Sequence, residues 1–173
     1  GNGLYLAHLE QGNLHLHGFP ELNQQQSRIR TLLEDEQGRI WVGGNDGLLT
    51  FSPDSLLQNP KAFRSYKYNR RDPHSLANNE IKTIFMDHRH QIWLGSSGGG
   101  IMKVLKGKNK DDFNFHHYNI NHGLINNIVQ DITEDHLGQL WISTETGLSK
   151  FDPNNQTFEN IKLSDSWEGD LLS

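Results

Sequence analysis

Apolar residues in this chain fall in short clusters, and the clusters recur. Ile40-Trp41-Val42, Ile92-Trp93-Leu94 and Leu140-Trp141-Ile142 each follow a polar turn and precede a Gly-rich one. The tryptophans stand 52 and 48 residues apart (41 to 93, 93 to 141). Self-similarity at such a period marks an array of small supersecondary units.

Each unit opens with a short apolar strand: Ile29 to Leu33, Ile81 to Phe85, Val129 to Ile132. Positions i and i+3 of a regular strand lie on opposite faces, so Ile29 and Leu32, Ile81 and Ile84, Val129 and Ile132 predict a strand covered on both sides. Asp35-Glu36-Gln37-Gly38, Asp87-His88-Arg89-His90 and Asp135-His136-Leu137-Gly138 then form a turn, opened by Asp and closed by a residue suited to positive φ. His90 stands where the sister units have Gly, at a cost of about 1 kcal/mol if its backbone is the same. The Trp triplet is the second strand. A Gly-closed turn leads to a third (Leu48 to Phe51, Ile101 to Val104, Leu148 to Phe151), and Asn45-Asp46-Gly47 is a hairpin signal. After Ser52-Pro53-Asp54 or Asp152-Pro153-Asn154-Asn155, a wetter fourth strand follows: Phe63 to Tyr68, Phe113 to Tyr118, Thr157 to Ile161.

Segment 1–18 fits the third and fourth strands of a preceding unit. Complete units occupy 27–70, 78–120 and 126–163, and 164–173 reads as the link to a further one. The expectation is an all-β fold of fourteen strands: a β-propeller of four-stranded antiparallel blades, about three and a half of them, as a fragment of a larger ring. A β-sandwich competes but needs no such repeat. Open blade faces predict association with the remaining blades or with another copy of the chain.

Composition narrows the chemistry. At net charge −5, with 16 Lys and Arg against 21 Asp and Glu, there is no basic footprint for nucleic acid. No apolar run reaches membrane-spanning length, and the opening Gly1-Asn2-Gly3 is no signal peptide. With no Cys, disulfides and thiolate sites are excluded.

The unit Ile/Val-x-x-Ile/Leu-x-x-Asp-x-x-Gly-x-Leu/Ile-Trp-Ile/Val-Gly/Ser-x-x-x-Gly-Leu resembles the two-component regulator propeller repeat, and Asp72 to Asn79 resembles its link between blades. The resemblance covers nearly the whole chain. Its departures are His90 in the turn and Ser143-Thr144 for the usual Gly-Thr. It implies the periplasmic sensor propeller of an inner-membrane protein: a histidine kinase, a hybrid kinase–response regulator or a diguanylate cyclase. Such a parent is expected to be dimeric, and some members sense breakdown products of polysaccharides. The family fixes no ligand positions within the repeat.

Other motifs have plainer readings. Gly95 to Gly100 imitates a phosphate loop but leads to a strand instead of a helix. His88, His90, His116, His117 and His136 invite a metal, yet fall in turns and outer strands of different units, so no metal or cofactor is expected. Asp35, Asp87 and Asp135 head equivalent turns, too far apart for a catalytic pair. Trp41, Trp93 and Trp141 read as core rather than a sugar platform, while Trp167 sits in a polar segment and is expected to be exposed.

The candidate binding face is the one where inter-unit links meet second turns. It nominates Asn45, Asp46, Asn78, Asn79, Asn126, Asn127, Glu145 and Thr146, an amide-rich set suited to a hydroxyl-rich ligand such as an oligosaccharide; Asn as a simple turn former is the plainer reading. The segment is expected to bind and not to catalyse. The alternatives are a propeller enzyme acting on polysaccharide, in which Arg30, Lys82, Gln130 and Asp131 of the first strands would converge, and a protein–protein scaffold.

Overall fold

A computed structural model describes residues 3–162. Trp167 and the expected link at 164–173 lie outside the described residues.

The hairpin β1 (Tyr5–Glu10) and β2 (Asn13–Gly18) is followed by a short helix α1 (Pro20–Asn23). Three four-stranded antiparallel sheets come next. The first is β3 (Ile29–Glu34), β4 (Ile40–Gly44), β5 (Gly47–Phe51) and β6 (Phe63–Tyr66), with helix α2 (Pro53–Gln58) before β6. The second is β7 (Ile81–Met86), β8 (Ile92–Ser96), β9 (Ile101–Lys106) and β10 (Phe113–Tyr118). The third is β11 (Val129–Glu134), β12 (Leu140–Thr144), β13 (Gly147–Asp152) and β14 (Thr157–Lys162). In each, strands pair in chain order, and the sheets stack face to face as blades of a partial β-propeller.

The turns follow the local chemistry. Asp35, Asp87 and Asp135 each accept, through Oδ1, the backbone N–H groups two and four residues on. His90 takes φ of 60°, against 76° and 78° at Gly38 and Gly138, so the backbone is shared and His90 carries the left-handed strain. Pro53 does more than stop pairing: its fixed φ starts α2, where its missing N–H costs nothing. The fourth strand still starts at Phe63, but β6 ends at Tyr66, short of Tyr68.

The first strands depart from regular alternation. Ile81 faces Ser96 and Thr83 faces Gly95, which leaves Lys82 as an extra, bulged residue. Arg30 and Gln130 are bulged at the same place in β3 and β11. A bulge reverses parity beyond it. Ile81 and Ile84 therefore share one face instead of covering both, and so do Val129 and Ile132.

Two seams result. The Trp41 face of the first sheet packs on Ile81, Ile84, Ile92 and Phe115 of the second. The Trp93 face of the second packs on Val129, Ile132, Leu140 and Phe151 of the third. Both indoles are 1% exposed. Gly43 and Gly95 are notches in these seams: a Cβ there would lie 2.7 Å from Ile81 and Val129, respectively. A third cluster, with Val42, Leu49, Leu56, Phe19 and Leu22, joins the first sheet to α1.

Candidate functional site

Two ends of the stack differ. At one, the turns after each Trp strand meet the links between sheets. Asn45, Ser97 and Glu145 donate backbone N–H to Arg28, Glu80 and Ile128 of their own sheet's entry. Gly47 and Gly98 donate to Asn79 and Asn127 of the next link, stapling successive sheets. Asn127 O also accepts from Gly100, so the N–H groups of the Gly-rich loop are spent inside the fold.

All eight nominated residues lie at this end. Asn78 and Asn126 accept, through Oδ1, the backbone N–H of Glu80 and Ile128, the two-residues-on turn bond that Asn favours. Asn79 and Asn127 accept from Tyr68 N and Ile120 N, tying the end of one sheet to the next. Asp46 accepts from the hydroxyl and backbone N–H of Ser27. Those two bonds, the hydroxyl first, hold its carboxyl below the usual carboxylate range. Asn45 Oδ1 accepts from Arg30 Nε at 3.1 Å. Glu145 and Thr146 are exposed in the third sheet's turn. The amide oxygens of Asn78, Asn79, Asn126 and Asn127 are therefore engaged by backbone N–H groups of the fold.

The bulges bring further groups to the same end. Glu80 Oε1 lies 3.7 Å from Arg30 Nη2 of one sheet and 3.7 Å from Lys82 Nζ of its own. Thr83 donates its hydroxyl to Asp131 of the third sheet at 3.1 Å. Arg30, Lys82 and Gln130 thus differ between units that otherwise repeat, and they sit where the first strands adjoin. Their variation among copies of one motif was visible in the sequence; their bulged position was not.

The opposite end carries the Asp turns and two wedge-shaped clefts between sheets. One, of about 590 Å³, is lined by Arg39, Trp41, His90, Lys106, Lys110 and Phe113. The other, of about 450 Å³, is lined by His88, Arg89, Glu134, His136 and Leu137. Polar contacts cross both seams: the Arg39–Asp111 ion pair, His90 Nδ1 with Glu36 at 2.6 Å, and His88 Nδ1 with Glu134. His117 Nε2 lies 2.6 Å from Ser75 O, and His116 stacks edge-on against Tyr118; burial is the main cause that lowers the His116 pKa. Among the described residues, no three His, Cys, Asp or Glu side chains converge as metal ligands.

Asp35, Asp87 and Asp135 have a second task that the turn pattern did not reveal. Each accepts the indole N–H of its own unit's Trp through Oδ2, at 2.9, 3.0 and 2.9 Å. That bond is the largest cause depressing the pKa of Asp135. A depressed folded-state value contributes stability that is present above the unfolded value of about 3.9 and is lost as pH falls through the folded one. Urea unfolding from pH 6 downward should therefore show the wild-type midpoint falling below about pH 4 more steeply than that of Asp135→Asn; parallel acid limbs would contradict the assignment.

Comparisons with known proteins agree with this arrangement. Residues 23–46, 75–98 and 123–146 match the family described as two component regulator propeller. Each match runs from a link through the bulged strand and Asp turn to the Trp strand. Among solved structures, the extracellular domain of a hybrid two component system of B. thetaiotaomicron is similar at TM-score 0.70 and 23% identity, covering 93% of this chain and 20% of that one. A second such extracellular domain from the same organism is 14% identical at TM-score 0.39, over 92% of this chain and 34% of that one. The chain thus spans about a fifth of the length of the first relative, and that likeness is one of fold. A comparison with curated proteins finds no match. No helix among the described residues is long and apolar enough to cross a membrane. With three matched repeats, each ending in its Trp strand and stacked in series, this chain is a β-propeller segment built from two component regulator propeller repeats.

Proposed function

We propose that this segment is part of the extracytoplasmic, periplasmic ligand-sensing propeller of a membrane-bound two-component-type signalling protein, and that it binds without catalysing. The family of its repeats supports the signalling role, and the parent's output is then a histidine kinase or diguanylate cyclase. The observation that carries the binding reading is the convergence of Arg30, Lys82 and Glu80 beside Asn45, Asn78 and Asn79 at one end of the stack. The cations Arg30 and Lys82 stand at a repeat position that Gln130 holds in the third sheet, so the shared turns do not demand them, and they suit a hydroxyl-rich small ligand such as an oligosaccharide. The carboxylates of this end are already held, Glu80 by two cations and Asp131 by Thr83, which favours binding over acid–base chemistry.

The test is calorimetry of the parent's complete propeller against a panel of oligosaccharides. One class should bind, and Arg30→Ala or Lys82→Ala should weaken it by about tenfold or more, since a hydrogen bond to a charged group is worth roughly 1.5–3 kcal/mol. Absence of binding across the panel, or affinity unchanged in both variants, overturns the reading.

A further inference from the structure

Three buried side-chain polar atoms lack a hydrogen-bond partner among the described residues: Arg39 Nε, Thr50 Oγ1 and Gln139 Oε1. Buried polar groups are normally paired, so each such atom calls for a reason. Arg39 and Thr50 line one cleft. It measures about 510 Å³, adjoins the wedge between the first two sheets, and is bounded by Arg39, Thr50, Ser52, Arg64, Lys110 and Asp111. Thr50 is 1% exposed.

Register brings these groups together. Thr50 of β5 stands opposite Trp41 on β4 and Arg64 on β6, so its side chain shares their face. Arg39 comes two residues before Trp41. From the second sheet, the loop after β9 brings Lys110 and Asp111. Tyr66 holds that loop, with its hydroxyl 3.4 Å from Asp111 O and from Asp112 Oδ1. Arg39 is fixed on two sides: Nη2 donates to Asp111, and the guanidinium lies 5.4 Å from the centre of the Phe113 ring. Its Nε is left over. Asp35 Oδ2 is 3.9 Å away, too far for a hydrogen bond, and accepts the Trp41 indole N–H instead.

The sister sheets use the same positions differently. Opposite their Trp they carry Lys103 and Lys150, whose ammonium groups lie 5.9 and 5.7 Å from the ring centres of Trp93 and Trp141. At the position of Arg39 the second sheet has Gln91, whose amide donates to Ile92 O and Val104 O. The third has Gln139, whose free atom is an acceptor. The repeat itself therefore requires neither a buried hydroxyl nor a free guanidinium N–H here. Charge matches the donors. Three cations, Arg39, Arg64 and Lys110, line the cleft against one carboxylate, Asp111, which Arg39 already holds, although the chain as a whole carries −5.

We infer that this cleft binds an oxyanion of the phosphate or sulfate kind. Arg39 Nε and the Thr50 hydroxyl donate to it from the floor, and Arg64 and Lys110 neutralise it from the rim. The buried donors supply the specificity, because charge-assisted bonds are strongest where water is excluded. The cleft lies at the opposite end of the stack from Arg30, Lys82 and Glu80, so either site can fail without the other.

The test is calorimetry of the parent's complete propeller with inorganic sulfate and inorganic phosphate, against sodium chloride at equal ionic strength. Both oxyanions should bind saturably where chloride does not. Thr50→Val keeps the shape and deletes the donor. It should weaken binding by about tenfold, the worth of one hydrogen bond to a charged group, and should leave the melting temperature without oxyanion unchanged or higher, since no bond of the fold is lost. Arg64→Gln, on the exposed rim, should weaken binding several-fold. Lys108→Gln, in the same loop but outside the cleft, should not. A sugar monophosphate upholds the site in either case: tighter binding than inorganic phosphate assigns the oxyanion to a larger ligand, and equal or weaker binding assigns it to the free ion. Heats no greater than with chloride overturn the inference. So does binding that Thr50→Val and Arg64→Gln leave unchanged, or that Lys108→Gln weakens as much as Arg64→Gln. A lower melting temperature of Thr50→Val without oxyanion overturns it too, because the hydroxyl would then have a partner within the fold.

Discussion

Gly95→Val should cost the chain about 3 kcal/mol, near the upper end of what overpacking does. The backbone at Gly95 does not need a glycine, since its φ lies outside the left-handed region; the space does. A Cβ would stand 2.7 Å from both Thr83 Cγ2 of its own sheet and Val129 Cγ1 of the next. Neither neighbour is a flexible tip. Thr83 donates to Asp131 across the seam, and Val129 is fully buried at the start of β11. The remedy would be to part the second and third sheets, which uncovers Trp93. At roughly 2–4 °C per kcal/mol for a chain of this size, melting should drop by about 6–12 °C. Ser143 holds the same position in the third sheet, on the face that no described sheet covers. Ser143→Val should therefore stay within about 0.5 kcal/mol. Equal losses in the two variants would refute the notch.

The second large effect belongs to the Asp–Trp bond. Asp87→Ala removes acceptors from Arg89 N, Gln91 N and Trp93 Nε1, at 2.9, 3.0 and 3.0 Å. Water can reach the turn's N–H groups, but the indole N–H is buried in the seam. A buried donor left alone costs about 1–3 kcal/mol, and the turn adds to it, so a loss of roughly 2–3 kcal/mol is expected. Trp93→Phe keeps an aromatic ring and deletes the donor. In that background Asp87→Ala should cost about 1 kcal/mol less, measured as a double-mutant cycle in urea. Additivity within about 0.3 kcal/mol would mean that Asp87 serves its turn alone.

These two effects also separate what could be read early from what could not. Gly43, Gly95 and Ser143 are one repeat position, and a small residue there was plain in the alignment of the units. Its reason was not, because Ile81 and Val129 belong to the next unit. Asp87 was legible as a turn opener from four consecutive residues. Its bond to Trp93 needs the second strand folded back beside the turn. At the proposed binding end, the eight nominated residues were found from topology, but most of their amide oxygens are consumed by backbone N–H groups. In the sequence Arg30 and Lys82 stand out only as groups an enzyme could use, and Glu80 carries no signal, because its two cations meet it only across the bulges.

By itself the sequence determined the repeat, the four-strand unit, the positions of the Asp and Gly turns, and the burial of Trp41 and Trp93; Trp141, read as core on the same pattern, is only half-buried, because no described sheet covers its face. Turn chemistry and alternation act over a few residues, and three copies of a pattern make them unmistakable. Only the tertiary structure decided which way each first strand faces. A single bulged residue at Arg30, Lys82 or Gln130 leaves no mark in the apolar pattern, yet it reverses every side chain beyond it. That reversal puts Ile81 and Ile84 on the same seam and gathers the variable residues at one end. The seams join residues about one repeat apart, so their geometry exists only once the sheets have stacked.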